Sequence, residues 1–401
     1  MKFLAKKNNH RGVTFNVIAF FIFLHFEIGV FFGFHLTIGA VLGLFLILRL
    51  GKLKLSNTAI YMILVILSLV LITPIFNSRY FDSTDFLTSS LLFTSALFIY
   101  SLGFIGFKEP ESVNSIKKGL EISFLIIVAY SVIQLAASTI FRFFLYNPWG
   151  QFQYLYQYSP IASSIGLIRS SGFYLEPSFN AYIILALTIS LIILGSHERR
   201  QLALSLLALL CTQSATGLIV WFIMAFAVVI KNRGRDFLGF IVFIGLAALV
   251  ASGYLGQRVN SIALEGSSGH YRVLSPLRIL GDLLSSSFFG YPIGSVYKVV
   301  GDYQLFQFGS EFSVSLDNGL YVLIFYFGWL GLISIAAFTV WALLGGSTPS
   351  ERVNLDRRTL NIWILTSLFF SGAIFALEFS MVTWLTLATY QLQKVKQTNV
   401  K

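Results

Sequence analysis

The sequence predicts an all-α polytopic membrane protein, and three observations predict it. Apolar residues make up 56% of the 401 positions and charged residues only 11%, with a mean hydropathy of +0.79. A soluble domain of this size carries about 25% charged residues, so water is not its only solvent. The apolar residues also come in runs of about 17–25, the length that crosses roughly 30 Å of hydrocarbon as a helix. Finally, the 28 lysines and arginines sit in short clusters between these runs rather than on one folded face. Strands of a membrane barrel are shorter and alternate in polarity, which this chain does not do.

The runs place about twelve transmembrane helices, at 13–29, 32–50, 58–76, 86–107, 119–141, 178–195, 201–213, 215–230, 237–255, 318–344, 360–377 and 379–391. The first follows Lys2, Lys6, Lys7 and Arg11 and resembles a signal sequence. No small-residue cleavage site follows it and a second run comes at once, so it reads as an uncleaved first helix. With this layout 21 of the 28 basic residues fall on one side and 7 on the other. Cytoplasmic loops carry that excess, which puts both termini in the cytoplasm of a bacterial cell and assigns the protein to the inner membrane. The net charge of +11 is therefore a topology signal, and nucleic acid is not expected as a partner. A lone cysteine, Cys211, excludes a disulfide framework and a Cys-based metal site.

The whole chain, 1–401, reads as a single integral membrane domain with two large periplasmic loops, at about 142–177 and 256–317. Membrane helices need only a few linking residues, and long connections are usually functional. Four places in or beside these loops have the residue types for chemistry. Arg169-Ser-Ser-Gly-Phe-Tyr-Leu-Glu-Pro-Ser-Phe179 leads into a helix. Pro177 suits a first helical turn, and Glu176 beside a helix N-terminus is favoured by the dipole, so a plain capping carboxylate stands as the alternative to a substrate role. Leu264-Glu-Gly-Ser-Ser-Gly-His-Tyr-Arg272, with Pro276 and Arg278 after it, pairs a flexible turn with guanidinium forks suited to pyrophosphate oxygens. His270 within it reads as an ordinary surface residue. Asp317 and Asn318 enter the tenth run and are candidate helix caps as well as site residues. Glu378 lies between the last two apolar runs, and an acid at such depth is a functional candidate by default. His25 and Glu27 in the first run fit the same argument, and a structural pair between them is the simpler expectation. The motifs of P-loop and zinc enzymes (Gly-x-x-x-x-Gly-Lys, His-Glu-x-x-His) do not occur.

Five segments also follow one another in a recognisable order: Arg169…Tyr174-x-Glu176-Pro177-x-Phe179, the turn Ser214-x-Thr216-Gly217, Glu265-Gly-Ser-Ser-x-x-Tyr271-Arg272, Asp317-Asn318-Gly319-Leu320-Tyr321, and Phe370-x-Gly372-x-Ile374-Phe375-x-x-Glu378. In this order and spacing the chain resembles the Wzy-type oligosaccharide repeat-unit polymerases of O-antigen and exopolysaccharide synthesis, and among them the colanic acid type. The likeness covers about 160–380. It implies a GT-C-like, metal-independent membrane glycosyltransferase with no cofactor. The substrates it implies are undecaprenyl-pyrophosphate-linked oligosaccharides, donor and acceptor, met at the periplasmic face within the membrane lipid. A flippase and a chain-length regulator are the protein partners it implies.

On that resemblance, Arg169 and Arg272 are the candidates to hold pyrophosphate, with Arg258 and Arg278 in reserve. Glu176 is the first candidate base, with Glu378 and Asp317 behind it. Tyr174, Tyr271, Asn318 and Tyr321 complete the candidate binding set, and the loop aromatics Trp149, Tyr154 and Tyr156 offer flat faces for sugar rings or serve as an interfacial belt. An O-antigen ligase-type transferase of the same fold is an alternative that the sequence barely separates. A polysaccharide flippase is the alternative of another class, and it predicts polar spans and short outside loops, unlike those here.

Overall fold

A computed structural model describes the chain apart from residues 1, 32–33, 52, 54, 56, 108–111, 144, 153–168, 232–244, 246–259, 261–262, 265–267, 305–315, 345–350 and 399–401. The described chain is mostly helical. In order it forms α1 (Lys2–Ile22), β1 (Glu27–Phe31), β2 (Phe34–Thr37), α2 (Ile38–Leu50), α3 (Asn57–Phe76), α4 (Ser83–Ile105), α5 (Val113–Thr139), α6 (Pro177–Ile193), α7 (Glu198–Thr212) and α8 (Ala215–Lys231). Then come α9 (Ser268–Val273), α10 (Ser275–Ser286), α11 (Val296–Asp302), α12 (Gly319–Phe327), α13 (Trp329–Leu344), α14 (Glu351–Ser367) and α15 (Leu377–Thr398).

Among the described residues three helices, α3, α4 and α5, are long and apolar enough to cross a membrane. α3 shows why lipid is their solvent. Its 20 residues span about 30 Å at 1.5 Å per residue. Yet Tyr61, Met62, Leu64, Val65, Leu71 and Ile75 on it are exposed, and only a ninth of its apolar window is buried within the protein. Such an apolar surface, left bare, belongs in hydrocarbon. Shorter apolar helices run over 11–22, 38–50, 177–193, 215–226 and 329–342.

Several expected runs end earlier than their apolar pattern does. The first stops at Ile22, where the chain turns and forms an antiparallel hairpin that pairs Glu27 with Thr37 and Val30 with His35. Backbone bonds from Ile38 to Phe26 O and from Gly39 to Phe23 O close this turn. The run 318–344 is two helices, broken at Gly328, whose φ of +58° a side chain would resist. The run 360–377 is helical only to Ser367. After it Gly372 lies so close to Leu316 O that a Cβ would collide with that carbonyl, and Gly319 donates to Leu368 O at 2.7 Å. The run 237–255, apart from Gly245, lies outside the described residues.

The chain divides into two compact units. The first comprises Met1–Leu55, Phe98–Trp221 and Leu377–Lys401. Its centre is α6, on which every residue from Pro177 to Ile193 except Phe179 is buried. A helix that is apolar all round has to be a core helix, and α5, α7 and α15 pack about it. The second unit comprises Ser56–Leu97 and Phe222–Ala376. In it α12 packs on α3, α10 and α13.

Candidate active site

The first unit carries the segment Arg169–Asn180, and its conformation is fixed by buried polar groups on neighbouring helices. Gln134 on α5 is the main one. Its Oε1 accepts the Ser170 hydroxyl at 2.6 Å and the Gly172 amide at 2.8 Å, and its Nε2 donates to Leu145 O at 3.2 Å. Gly172 has φ +63° and its Cα lies so near Asn180 that a Cβ would come within 2.9 Å of that side chain. Asn180 in turn donates to Ser131 Oγ on α5 at 3.0 Å. The Tyr174 hydroxyl donates to Phe21 O at 3.1 Å, and Asn147 Nδ2 donates to Tyr174 O at 2.9 Å. The Leu175 amide donates to His25 Nδ1 at 3.1 Å. Each of these donors would be stranded in a dry interior without its acceptor, so the network holds one conformation.

What this rigid turn presents is an arginine at its start and a carboxylate at its end. Arg169, half-buried, donates through Nε to Thr212 O at 3.2 Å, beside the turn Gln213-Ser214 where Gln213 is left-handed (φ +49°). Gly217 donates to Ser214 Oγ at 3.2 Å and packs against Ala181 of α6, so the Ser-x-Thr-Gly turn and the Arg169 segment are built as neighbours. Glu176 is the N-cap residue of α6, extended at φ −151° and followed by Pro177. Its side chain makes no bond to the first-turn amides and instead accepts the Ser178 hydroxyl. The capping reading therefore holds for its backbone and not for its carboxylate.

Glu378, also in the first unit, is 5% exposed and accepts the Thr37 hydroxyl at 2.9 Å. His25 and Glu27 do not pair as expected. His25 takes the Leu175 amide, while Glu27 bonds His35 at 2.9 Å diagonally across the hairpin, whose ladder pairs Glu27 with Thr37 and His35 with Val30.

In the second unit the Tyr271-Arg272 and Asp317–Tyr321 segments meet. Arg272 and Asp317 form an ion pair at 3.6 Å, both about a quarter exposed. Asn318 caps α12 by accepting the Leu320 amide at 3.0 Å, and its Nδ2 reaches Arg272 O at 3.5 Å. The Tyr321 hydroxyl donates to Val273 O at 3.0 Å. Two side chains of one motif thus grip two successive carbonyls of the other and fix where the guanidinium stands. Gly319 and Gly372 let the fifth motif pack on this pair without side chains between.

Other expected site residues take supporting positions. Tyr174 and Tyr271 are fully buried, so neither offers a face to a sugar. Trp149 donates to Ile22 O at 2.9 Å and packs its ring on Phe23 and Phe26. Arg278 is exposed and lies over the Tyr303 ring at 5.8 Å. His270 bonds Ser275 at 2.9 Å. Arg258, Tyr154 and Tyr156 lie outside the described residues. Residues absent from the expected set but central to it are Gln134, Asn180 and Thr37. A lone amide inside an apolar run was the available signal for Gln134.

Comparison with known proteins identifies the family. One curated relative, described as a "Putative colanic acid polymerase" of Escherichia coli (strain K12), is 26% identical over 230 residues, 53% of this chain and 55% of the relative. The chain thus spans about half the length of that relative in the match. The model of the WcaD colanic acid polymerase family matches residues 13–392, which takes in both units and all five motifs. The chain is an integral membrane protein and belongs to the WcaD colanic acid polymerase family.

Proposed function

We propose that this protein polymerises undecaprenyl-pyrophosphate-linked oligosaccharide repeat units, by metal-independent glycosyl transfer at the periplasmic face of a bacterial inner membrane. In this reading the chain is one integral domain of twelve spans and GT-C-like architecture with both termini cytoplasmic, served by a flippase and a chain-length regulator. The growing glycan on its lipid pyrophosphate is the donor, and a new lipid-linked repeat is the acceptor. An acceptor hydroxyl oxygen bonds to the donor's anomeric carbon as the bond from that carbon to the pyrophosphate oxygen breaks. Arg169 and Arg272 take up the charge that develops on the leaving pyrophosphate, with Arg258 and Arg278 in reserve. Glu176 accepts the proton of the attacking hydroxyl, with Glu378 and Asp317 as the other candidates.

The observation that carries this reading is the Arg169–Asn180 segment. It contains the longest of the five segments on which the resemblance rests, and the fold commits Gln134, Asn180, His25 and Asn147 to holding it. A turn fixed to that extent, ending in one cation and one carboxylate, suits a site that must be ordered before its substrates arrive.

Arg169→Ala and Arg272→Ala are expected to abolish long polymer while the protein stays at wild-type abundance in the membrane. Losing one preorganised group of this kind costs about 10²–10³ in turnover. Wild-type polymer in both variants would remove the pyrophosphate assignment.

A further inference from the structure

The loop between α1 and α2 lies outside the five segments, yet it bonds the backbone just ahead of Glu176 and the carboxylate of Glu378. At its start His25 is 1% exposed, with its ring 4.3 Å from that of Phe179 and 5.7 Å from that of Tyr174. Its Nδ1 lies 3.1 Å from the Leu175 amide. A backbone N–H can only donate, so Nδ1 is the acceptor and the ring's proton sits on Nε2. That bond fixes the Tyr174–Leu175 peptide, one peptide before the one that carries Glu176. Four residues earlier, Phe21 O takes the Tyr174 hydroxyl, so α1 and the loop after it grip two successive residues ahead of the carboxylate.

At the far end of the loop, Thr37 is fully buried and its hydroxyl does two things. It accepts the Ala40 amide at 3.0 Å, which starts α2, and it donates to Glu378 Oε1 at 2.9 Å. The helices that follow or carry the two carboxylates, α6 and α15, are also tied to each other. Tyr182 of α6 stacks on Phe379 of α15 with ring centroids 4.6 Å apart, and its hydroxyl meets Thr383 Oγ1 at 3.0 Å. The β1–β2 hairpin, closed by its ladder and by Glu27–His35, joins the His25 end to the Thr37 end.

We propose that His25 and Thr37 are positioning residues of the transfer site, His25 orienting Glu176 through the Leu175 amide and Thr37 orienting the Glu378 carboxylate directly. The proposal rests on the reading of Glu176 as the base and takes Glu378, the other candidate in the first unit, to work beside it. Neither His25 nor Thr37 has to meet substrate. Each removes the freedom of a group that does, and a misplacement of about 1 Å at such a group costs about a hundredfold in rate.

The experiment uses the purified full chain in nanodiscs, fed with undecaprenyl-pyrophosphate-linked repeat units extracted from a strain that lacks this gene. His25→Leu and Thr37→Val remove the polar atom at similar volume. His25→Asn keeps an acceptor near the place of Nδ1, and Thr37→Ser keeps the hydroxyl. Turnover per folded protein, KM and melting temperature are measured for each, beside Glu176→Gln and Glu378→Gln. The expected result is a fall in kcat of about a hundredfold for the Leu and Val variants, with KM unchanged and most of the activity regained in the Asn and Ser variants. His25→Gln, whose longer stem displaces the acceptor without removing it, reads the same effect in a protein that keeps its buried polar partner. Its kcat falls while that of His25→Asn holds. A purely structural role would lower melting temperature and leave turnover per folded protein at the wild-type value, which overturns the proposal. If that happens while the two Gln variants are inactive, only the positioning role fails. Wild-type turnover in both Gln variants removes the carboxylate reading and the positioning role together.

Discussion

At the scale of single residues, the candidate site depends on a few that carry no chemistry themselves. Gly172 combines a φ of +63° with contact to Asn180. A left-handed non-glycine residue costs roughly 1–2 kcal/mol, and here the methyl must also displace a buried amide that bonds Ser131. Gly172→Ala is therefore expected to lower the melting temperature of the solubilised protein and to cut polymer yield more steeply than protein abundance. Unchanged yield and melting point would show that the turn is not rigid. The sequence made part of this legible. Arg169, Glu176 and Pro177 announced a helix start beside charge, and α6 begins at Pro177. The acceptors Gln134 and His25 lie 38 and 150 residues from their partners, Gly172 and Leu175, and no local pattern reports a bond made over such a distance. Residue type alone also could not separate a tyrosine that meets sugar from one such as Tyr174, whose hydroxyl is spent on Phe21 O.

At the scale of elements, hydropathy located helices better than it located their ends. The runs at 178–195 and 201–213 correspond to α6 and α7 within three residues, and the run at 119–141 to α5, which starts six residues earlier. The runs over 318–344 and 360–377 include segments that are apolar but not helical, because apolar composition measures solvent preference and says nothing about a backbone that must bend. The hairpin 27–37 was hidden for the same reason. Within the second unit, loop and helix are joined by ion pairs whose contribution follows pH. Asp82, before α4, accepts Lys298 of α11 at 3.0 Å and the amides of Thr84 and Asp85. The Lys298 hydrogen bond, ahead of the two amides, holds the Asp82 carboxyl below its ordinary range. A depressed carboxyl pKa stabilises the fold above its unfolded value and loses that stability as pH falls through the folded one. The pair is solvent-exposed, so the effect is small and screened by salt. Melting temperatures of wild type and Asp82→Asn should differ slightly at neutral pH and begin to converge as pH falls below about 4. A difference that persists in acid would show that the pair contributes nothing through charge.

At the scale of the whole molecule, the membrane accounts for features that water would forbid. α3 leaves most of its apolar surface bare, and the surface is useful only against lipid. Val65 is 59% exposed near the middle of that helix, whereas Val70 is 2% exposed. A lysine at the centre of a span costs about 2.5–3.5 kcal/mol to insert. Val65→Lys should reduce the fraction of protein recovered in the membrane, as measured by glycosylation mapping or carbonate extraction. Full recovery would place α3 outside the hydrocarbon. The polymerase reading is carried at this scale by family membership over residues 13–392, and at the residue scale by two arginines and three carboxylates on ordered segments.

The most direct test is to delete the gene and size the lipid-linked and surface glycans of the cell. Single repeat units accumulating on undecaprenyl pyrophosphate at the outer face of the inner membrane, without long polymer, are the predicted result. Long polymer still made but unattached, or repeat units trapped on the cytoplasmic face, would contradict it.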